Sequence, residues 1–429
     1  MRVFLANLRR RLVDVRPGEA RALWLGFVFH FAVLAGYYVI RPIRDEIGAS
    51  SGVEKLPWMF TAVLVTMFAA NALFAMIVAR MSRRRFIPIA YRFFIANLVL
   101  FYLLMRTLPA EQQPFLGRCF FVWVSVFNLF ATTVFWAFMT DLFTTEQGKR
   151  LFGFIAVGGS LGGILGPIVT ASLVHRVSTG VFLLICAAML EIAAQCVRFF
   201  PSNFRGRDHG ESAEKPMGGN IWEGITHIIR SPYLLGLLLF ILLYTSTSTW
   251  AYFQQADLTK FQIQDGATRT AFFAKLDLSV NTLTVFIQIF LTGRLLKWFG
   301  VGLTLVLMPA LSLLGFLAIG LAPVIAVLAV FQVMRRAATF ALTRPAREVL
   351  FTVLRREDKY KAKSLIDTFA YRAGDQIGAW SYGGLHDRGF TISGTSYIAI
   401  PFVAVWCVLS LWLGRRQLAL ARENEREKP

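Results

Sequence analysis

Leu23 to Ile40 reads LWLGFVFHFAVLAGYYVI, eighteen residues without a formal charge, and Arg41-Pro42-Ile43-Arg44-Asp45 follows at once. An uninterrupted apolar stretch of this length matches the roughly 20 residues that carry a helix across a bilayer. No small-residue cleavage site follows it, so it reads as a retained span rather than a removable leader.

The rest of the chain repeats the pattern. Of its 429 residues 56% are hydrophobic and 16% charged, against about 25% charged in an ordinary soluble domain. The apolar residues come in blocks of about twenty, not in the short alternating runs of a membrane barrel. Six blocks fall at Ala22–Ile40, Leu56–Val78, Phe86–Met105, Gly117–Phe138, Leu151–Val174 and Val181–Phe200. A polar stretch with Arg205, Arg207, Asp208, Glu211, Glu214 and Lys215 follows, then Ile221, Trp222, Ile225, Ile228 and Ile229 at the spacing of an interfacial helix. Six more blocks are Tyr233–Ala256, Ala271–Leu295, Leu303–Leu321, Pro323–Val349, Ser364–Tyr382 and Thr395–Leu413. The expected fold is all-α integral membrane: twelve transmembrane helices in two six-helix bundles, residues 1–200 and 233–429, joined by a cytoplasmic linker over 201–232.

The net charge of +20 is a topological signal. Nucleic-acid binding needs a solvated basic face, whereas here Arg and Lys sit in the gaps between apolar blocks. Arg9, Arg10 and Arg11, the turn with Arg80, Arg83, Arg84 and Arg85, Lys149 with Arg150, the linker, Arg294 with Lys297, the run Arg355 to Lys363 and the tail Arg415, Arg416 and Arg422 are the basic ones. Positive-inside placement puts both termini in the cytoplasm. Cys119, Cys186, Cys196 and Cys407 lie inside apolar blocks with no paired or metal-like spacing, so neither a disulfide nor a metal site is indicated. No cofactor is implied either.

Gly158, Gly162 and Gly166 recur every four residues before Pro167. Without a Gly-Lys-Ser/Thr ending, inside an apolar span, this is a face for close helix packing or bending rather than a phosphate loop. Ionisable residues at membrane depth carry the most information, since each costs several kcal/mol unless it is paired or faces water. Arg41 and Arg44 lie one turn apart at the end of the first span, with Asp45 in reach of Arg41. Arg92, Glu191 and Asp277 stand in the third, sixth and eighth spans. In the tenth, regular helical spacing puts Arg336, Thr343 and Arg347 on one stripe, with Phe340 and Arg344 beside it. The eleventh holds Asp367, Arg372 and Asp375, and the seventh the hydroxyl-rich run Tyr244-Thr245-Ser246-Thr247-Ser248-Thr249-Trp250.

Arginine exceeds acid at depth, and a guanidinium pairs bidentately with carboxylate or phosphate, so an anionic solute in a central cavity is expected. Glu191, Asp277, Asp367 and Asp375 are candidates for a coupling proton, because a desolvated carboxyl changes protonation near neutral pH. Of five histidines only His30 lies within a span, and no nucleophile–base pair appears, so catalysis is not expected.

Several blocks resemble a known family: Arg41-Pro42-Ile43-Arg44-Asp45, Phe135-Trp136-Ala137-Phe138-Met139-Thr140-Asp141, Lys149-Arg150-Leu151-Phe152-Gly153, Lys363-Ser364-Leu365-Ile366-Asp367 and Arg372-Ala373-Gly374. They are similar to the ATP/ADP translocase branch of plastids and intracellular bacteria, nucleotide exchangers with a major-facilitator-like fold. The resemblance implies a basic residue at Arg41 and an acid or amide at Asp141, both suited to an anion and coupling site. The basic turns Ala79–Arg85 and Gly293–Gly300 resemble the loop motif of the major facilitator superfamily. Where the translocases carry Arg-Leu-Gly-Lys, this chain has Arg372-Ala373-Gly374-Asp375, an acid in place of a cation. A smaller or less charged anion moved with protons is therefore as consistent as a nucleotide.

The resulting expectation is a secondary transporter working by alternating access. Arg41, Asn128, Thr132, Trp136, Thr245, Thr249, Trp250 and Arg336 would hold the solute. Arg44, Asp45, Asp141, Glu191, Asp277, Arg347, Asp367, Arg372 and Asp375 would couple or gate. The alternative is a transporter-derived receptor or scaffold, which requires Arg336 and Arg372 to be paired and sealed from solvent.

Overall fold

The computed structural model describes residues 15–16, 18–78, 83–201, 231–354 and 366–426. The expected linker helix, the turn around Arg80 and the run Arg355 to Lys363 lie outside the described residues. Helices α1 to α6 are Ala20–Ser51, Leu56–Val78, Arg83–Thr107, Gln113–Leu142, Thr145–Leu173 and Thr179–Arg198. After the linker come α7 (Pro232–Gln262), α8 (Gly266–Phe290) and α9 (Thr292–Leu321). α10 comprises Ile325–Ala338, a π-helical turn Thr339–Thr343 and Arg344–Leu350; α11 comprises a π-helical turn Ile366–Ala370 and Tyr371–Asp387; α12 is Ile392–Arg426. Eleven of these helices are long and apolar enough to cross a membrane. The fold is all-α and of the twelve-helix membrane type.

The sequence places four features differently from the structure. The first span does not end at Arg41: α1 runs through Pro42 to Ser51. A membrane helix tolerates an internal proline when neighbouring groups re-satisfy the freed carbonyl. Leu291 separates α8 from α9, and Gly300, at φ 70, breaks α9 where a block boundary had been expected. The left-handed conformation there is one that glycine adopts at little cost. The tenth span is not a regular helix, and the eleventh is a π turn followed by only 17 helical residues.

The helices form two compact units. Unit 1 comprises Met1–Gly48, Ala62–Glu214 and Asp265–Leu278. Its core is aromatic: Phe29, Phe120, Phe127, Phe135, Phe138 and Phe182 are fully buried, and Trp123 stacks on Phe127 at 5.3 Å. α1 and α5 lie in direct backbone contact along the glycine face. A methyl at Gly158 would stand 2.4 Å from the Phe27 carbonyl, one at Gly162 2.4 Å from the Phe31 carbonyl, and one at Gly166 2.8 Å from the Ala35 carbonyl. One turn further, Thr170 Oγ1 donates to Val39 O at 2.8 Å. The glycines thus serve packing, as their spacing predicts. His30, inside this interface, has Nδ1 3.0 Å from Ile155 O and stacks on Phe135.

At the other end of α1, Glu19 accepts from Arg150 at 2.9 and 3.2 Å, from Gln147 Nε2 at 3.1 Å and from the Arg16 N–H at 2.9 Å. Burial alone would raise its pKa, but the Arg150, Arg16 and Gln147 donors outweigh it and hold the carboxyl below its ordinary 4.5. A depressed carboxyl contributes stability that is present above its unfolded pKa and is lost as pH falls through the folded one. Melting curves of the wild type and Glu19→Gln should therefore differ at neutral pH and converge as pH drops below 4.5. A gap that stays constant would remove Glu19 as the cause.

Unit 2 comprises Ala49–Thr61, Lys215–Gln264 and Ser279–Pro429. α7 and α11 touch through small residues there: a methyl at Gly378 would meet the Ser246 carbonyl at 2.7 Å. Buried amides add polar ties, Gln332 donating to Gln255 Oε1 at 2.8 Å and Gln254 to Ser396 Oγ at 2.9 Å.

Candidate transport site

In unit 1, α1 and the first part of α8 are joined by two ion pairs. Arg41 Nη1 donates to Asp277 Oδ1 at 2.8 Å, and Arg269 Nη2 to Glu46 Oε1 at 2.8 Å. Five residues forward on α1 match eight residues back on α8, so the pairs are rungs between antiparallel helices. Asp45, buried, binds both of its neighbours, Arg44 at 2.6 Å and Arg41 at 3.9 Å. Arg44 is further held by Ser125 Oγ at 3.3 Å and by the Phe121 ring, 3.9 Å beneath its guanidinium. The predicted trio Arg41, Arg44 and Asp45 is therefore assembled with the predicted Asp277. Glu46 and Arg269 were not anticipated, since residues near span ends carry no depth signal. Beside this second rung lies a cavity of about 550 Å³ lined by Glu46, Tyr102, Arg106, Gln113, Thr179 and Thr270 among others.

The remaining unit 1 candidates are dispersed. Asn128 O accepts from Thr132 Oγ1 at 2.6 Å, a bond within α4. Trp136, partly buried, packs edge-on against His30 at 5.3 Å and Phe152 at 5.7 Å, at the margin of the aromatic core. Asp141 is exposed near the end of α4. Glu191 is 40% exposed and bonded to Arg92 at 3.0 Å, a surface pair away from the Arg41 cluster's partners.

In unit 2 the site gathers α7, α10 and α11. Thr249 Oγ1 reaches Asp375 Oδ1 at 3.5 Å, and Asp375 pairs with Arg372 at 3.1 Å. Arg372 remains 35% exposed, so it is not sealed as a scaffold would require. Trp250 Nε1 donates to Ser381 Oγ at 2.9 Å. Thr245 bonds back to the Ile241 carbonyl at 2.9 Å, within its own helix. Arg347 donates to the Tyr371 hydroxyl and approaches Glu348 at 3.6 Å. Asp367 lies in the π turn of α11, and its side chain is outside those described.

The tenth helix corrects the sequence reading. Arg336 is only partly buried, and its neighbour Arg335, 4% exposed, reaches α7 by donating to Ser248 Oγ. At about 100° per residue, positions eleven apart return to within roughly 20° of one face, which had aligned Arg336 with Arg347. The π turn Thr339–Thr343 takes up one extra residue. The aligned partner of Arg347 thereby becomes Arg335. No local sequence rule announces such a turn.

A family model for the Major Facilitator Superfamily matches residues 23–352. The chain belongs to the major facilitator superfamily. It is a multi-pass membrane transporter of that superfamily, not an enzyme. Its sequence is similar to ADP,ATP carrier protein 1 of Chlamydia muridarum, at 21% identity over 479 residues that cover 95% of this chain and 89% of the carrier. Its fold is like that of a bacterial homologue of the iron transporter ferroportin in an inward-facing state, with a TM-score of 0.67 at 11% identity over 93% of this chain and 100% of that one. It is also like the nucleoside transporter NupG, with a TM-score of 0.58 at 12% identity over 94% and 99% of the two chains.

Proposed function

We propose that this transporter moves a small anionic solute, a nucleotide or another phosphorylated or carboxylated metabolite, by alternating access. Arg335 carries the reading. It is a guanidinium 4% exposed, in a transmembrane helix, whose hydrogen-bond partner among the described residues is a serine hydroxyl and not an acid. A buried charge of this kind is costly unless an anion arrives to meet it. The similarity to ADP,ATP carriers supports the same class of solute without fixing it. Asp375, beside Thr249, weighs toward an anion of lower charge than a polyphosphate.

The two rungs between α1 and α8 supply what alternating access needs, a contact strong enough to hold one state and made of side chains that can part. Asp45 and Asp277, sharing Arg41, serve in this reading as coupling or gating groups that are released when that guanidinium moves away. In this reading the membrane is the bacterial inner membrane, with both termini on the cytoplasmic side where Lys and Arg concentrate.

Thermal stabilisation of the purified protein by nucleotides, phosphate esters, carboxylates and peptides tests the proposal. We expect stabilisation by one of the anion classes, lost in Arg335→Gln and retained in Arg336→Gln. Stabilisation by neutral peptides alone, or equal stabilisation of both variants, would overturn it.

A further inference from the structure

Arg335 and Arg347 are not two parts of one small pocket. Twelve residues apart at about 1.5 Å rise, they stand roughly 18 Å from each other along α10, too far for one phosphate or carboxylate to touch both. Yet the π turn brings them to one side of the helix, and the space between them is occupied by a string of polar groups. Arg335 donates to Ser248 Oγ, and Ser248 Oγ donates to the main-chain carbonyl of Tyr244 at 2.6 Å, one turn back along α7. The Tyr244 ring lies 6.0 Å from that of Tyr371, edge to face. Tyr371 in turn accepts from Arg347, whose guanidinium sits 5.3 Å from the same ring. Three helices contribute: α10 both arginines, α7 the serine and one tyrosine, α11 the other tyrosine. All five side chains except Arg335 are partly open, and the string ends near the Leu350 terminus of α10.

We propose that Arg347, Tyr371, Tyr244, Ser248 and Arg335 form a path for an oxyanion, Arg347 receiving it near the end of α10 and Arg335 holding it midway. The inference rests on the anionic-solute reading above and adds the route and its order. Two cations separated by two tyrosines and a serine suit transit better than tight capture. Each guanidinium offers bidentate donors to carboxylate or phosphate alike, and the Tyr371 phenol and Ser248 hydroxyl, each bonded to one of them, are groups that can exchange that bond for one to the anion. Arg344, exposed and stacked on Phe340 at 4.5 Å, lies off this face and serves as the natural control.

The test places a thiol on the path, Ser248→Cys, in a protein whose four native cysteines are replaced by alanine. The probes are the anionic sulfonatoethyl methanethiosulfonate and its cationic trimethylammonium counterpart. In either case the thiolate attacks the thiosulfonate sulfur, a mixed disulfide forms and the sulfinate leaves. We expect the anionic probe to react about tenfold faster than the cationic one, as a basic, confined approach dictates. Arg347→Gln should cut that ratio several-fold and Arg344→Gln should leave it unchanged. Inorganic phosphate and acetate, added separately as competitors, should slow the anionic probe, and the stronger of the two distinguishes a phosphate path from a carboxylate path. A preference for the anion that Arg347→Gln does not alter overturns the path while leaving Arg335 as an anion site. A preference for the cation overturns the anionic reading as well. Because Ser248→Cys removes a partner of Arg335, the same ratio measured with Tyr244→Cys, one turn back on α7 and partly open, guards against misfolding at the first position.

Discussion

Arg41→Ala is expected to abolish uptake and to lower stability by about 3–5 kcal/mol, the usual cost of removing one member of a buried ion pair. The substitution takes from Asp277, 1% exposed, the guanidinium 2.8 Å away, and takes a second positive charge from Asp45. Removing both charges, as in Arg41→Ala with Asp277→Ala, should recover a large part of the melting temperature, because an apolar pair in place of a buried ion pair is often close to neutral. Uptake should not recover with it. Melting and solute uptake in reconstituted vesicles measure the two effects separately. A single variant as stable as wild type would mean that Arg41 is not needed to keep Asp277 buried. A stable double variant that still transports would remove the pair from the transport cycle.

Gly162→Ala is expected to have the second large effect. Its new methyl would lie 2.4 Å from the Phe31 carbonyl oxygen and 2.8 Å from the Ala35 nitrogen, both backbone atoms that cannot rotate aside. α1 and α5 must then separate. We expect a loss of about 3 kcal/mol or more, at the upper end of overpacking penalties. Gly153→Ala is the internal comparison: nothing lies within 4 Å of that position, and replacing an exposed helical glycine by alanine gains up to about 1 kcal/mol. Melting temperatures moving in opposite directions would support the packing argument. Equal behaviour at the two sites would show that the glycine face is not closely engaged in the folded protein.

Much of this architecture was legible in the chain because the bilayer imposes a coarse rule. Blocks such as Leu23 to Ile40 declare a span by length and apolarity alone, and the Gly158, Gly162 and Gly166 spacing declares a packing face. Arg41, Arg44, Asp45 and Asp277 were recognisable as unusual from depth alone, but which acid meets which base depends on helix order in space. That Arg41 selects Asp277, 236 positions away, is a tertiary fact. Arg269 and Glu46 escaped notice because a charge near a span end is ordinary. Trp136 shows the same limit: an aromatic beside Asn128 and Thr132 looks like a ligand platform, and only the fold reveals that His30 of α1 and Phe152 of α5 are its neighbours. The exchange of Arg336 for Arg335 stems from a single irregular turn.

That turn also bears on how relatives should be compared. A π-helical turn is the footprint of one residue inserted into a helix without disturbing the packing on either side. A relative whose tenth helix is regular throughout would carry one residue fewer between the two arginines. An ungapped alignment of α10 would then match Arg335 to the wrong column whenever Arg347 is matched to the right one. Substitution patterns at this helix acquire meaning only after a one-residue gap is opened between Thr339 and Thr343.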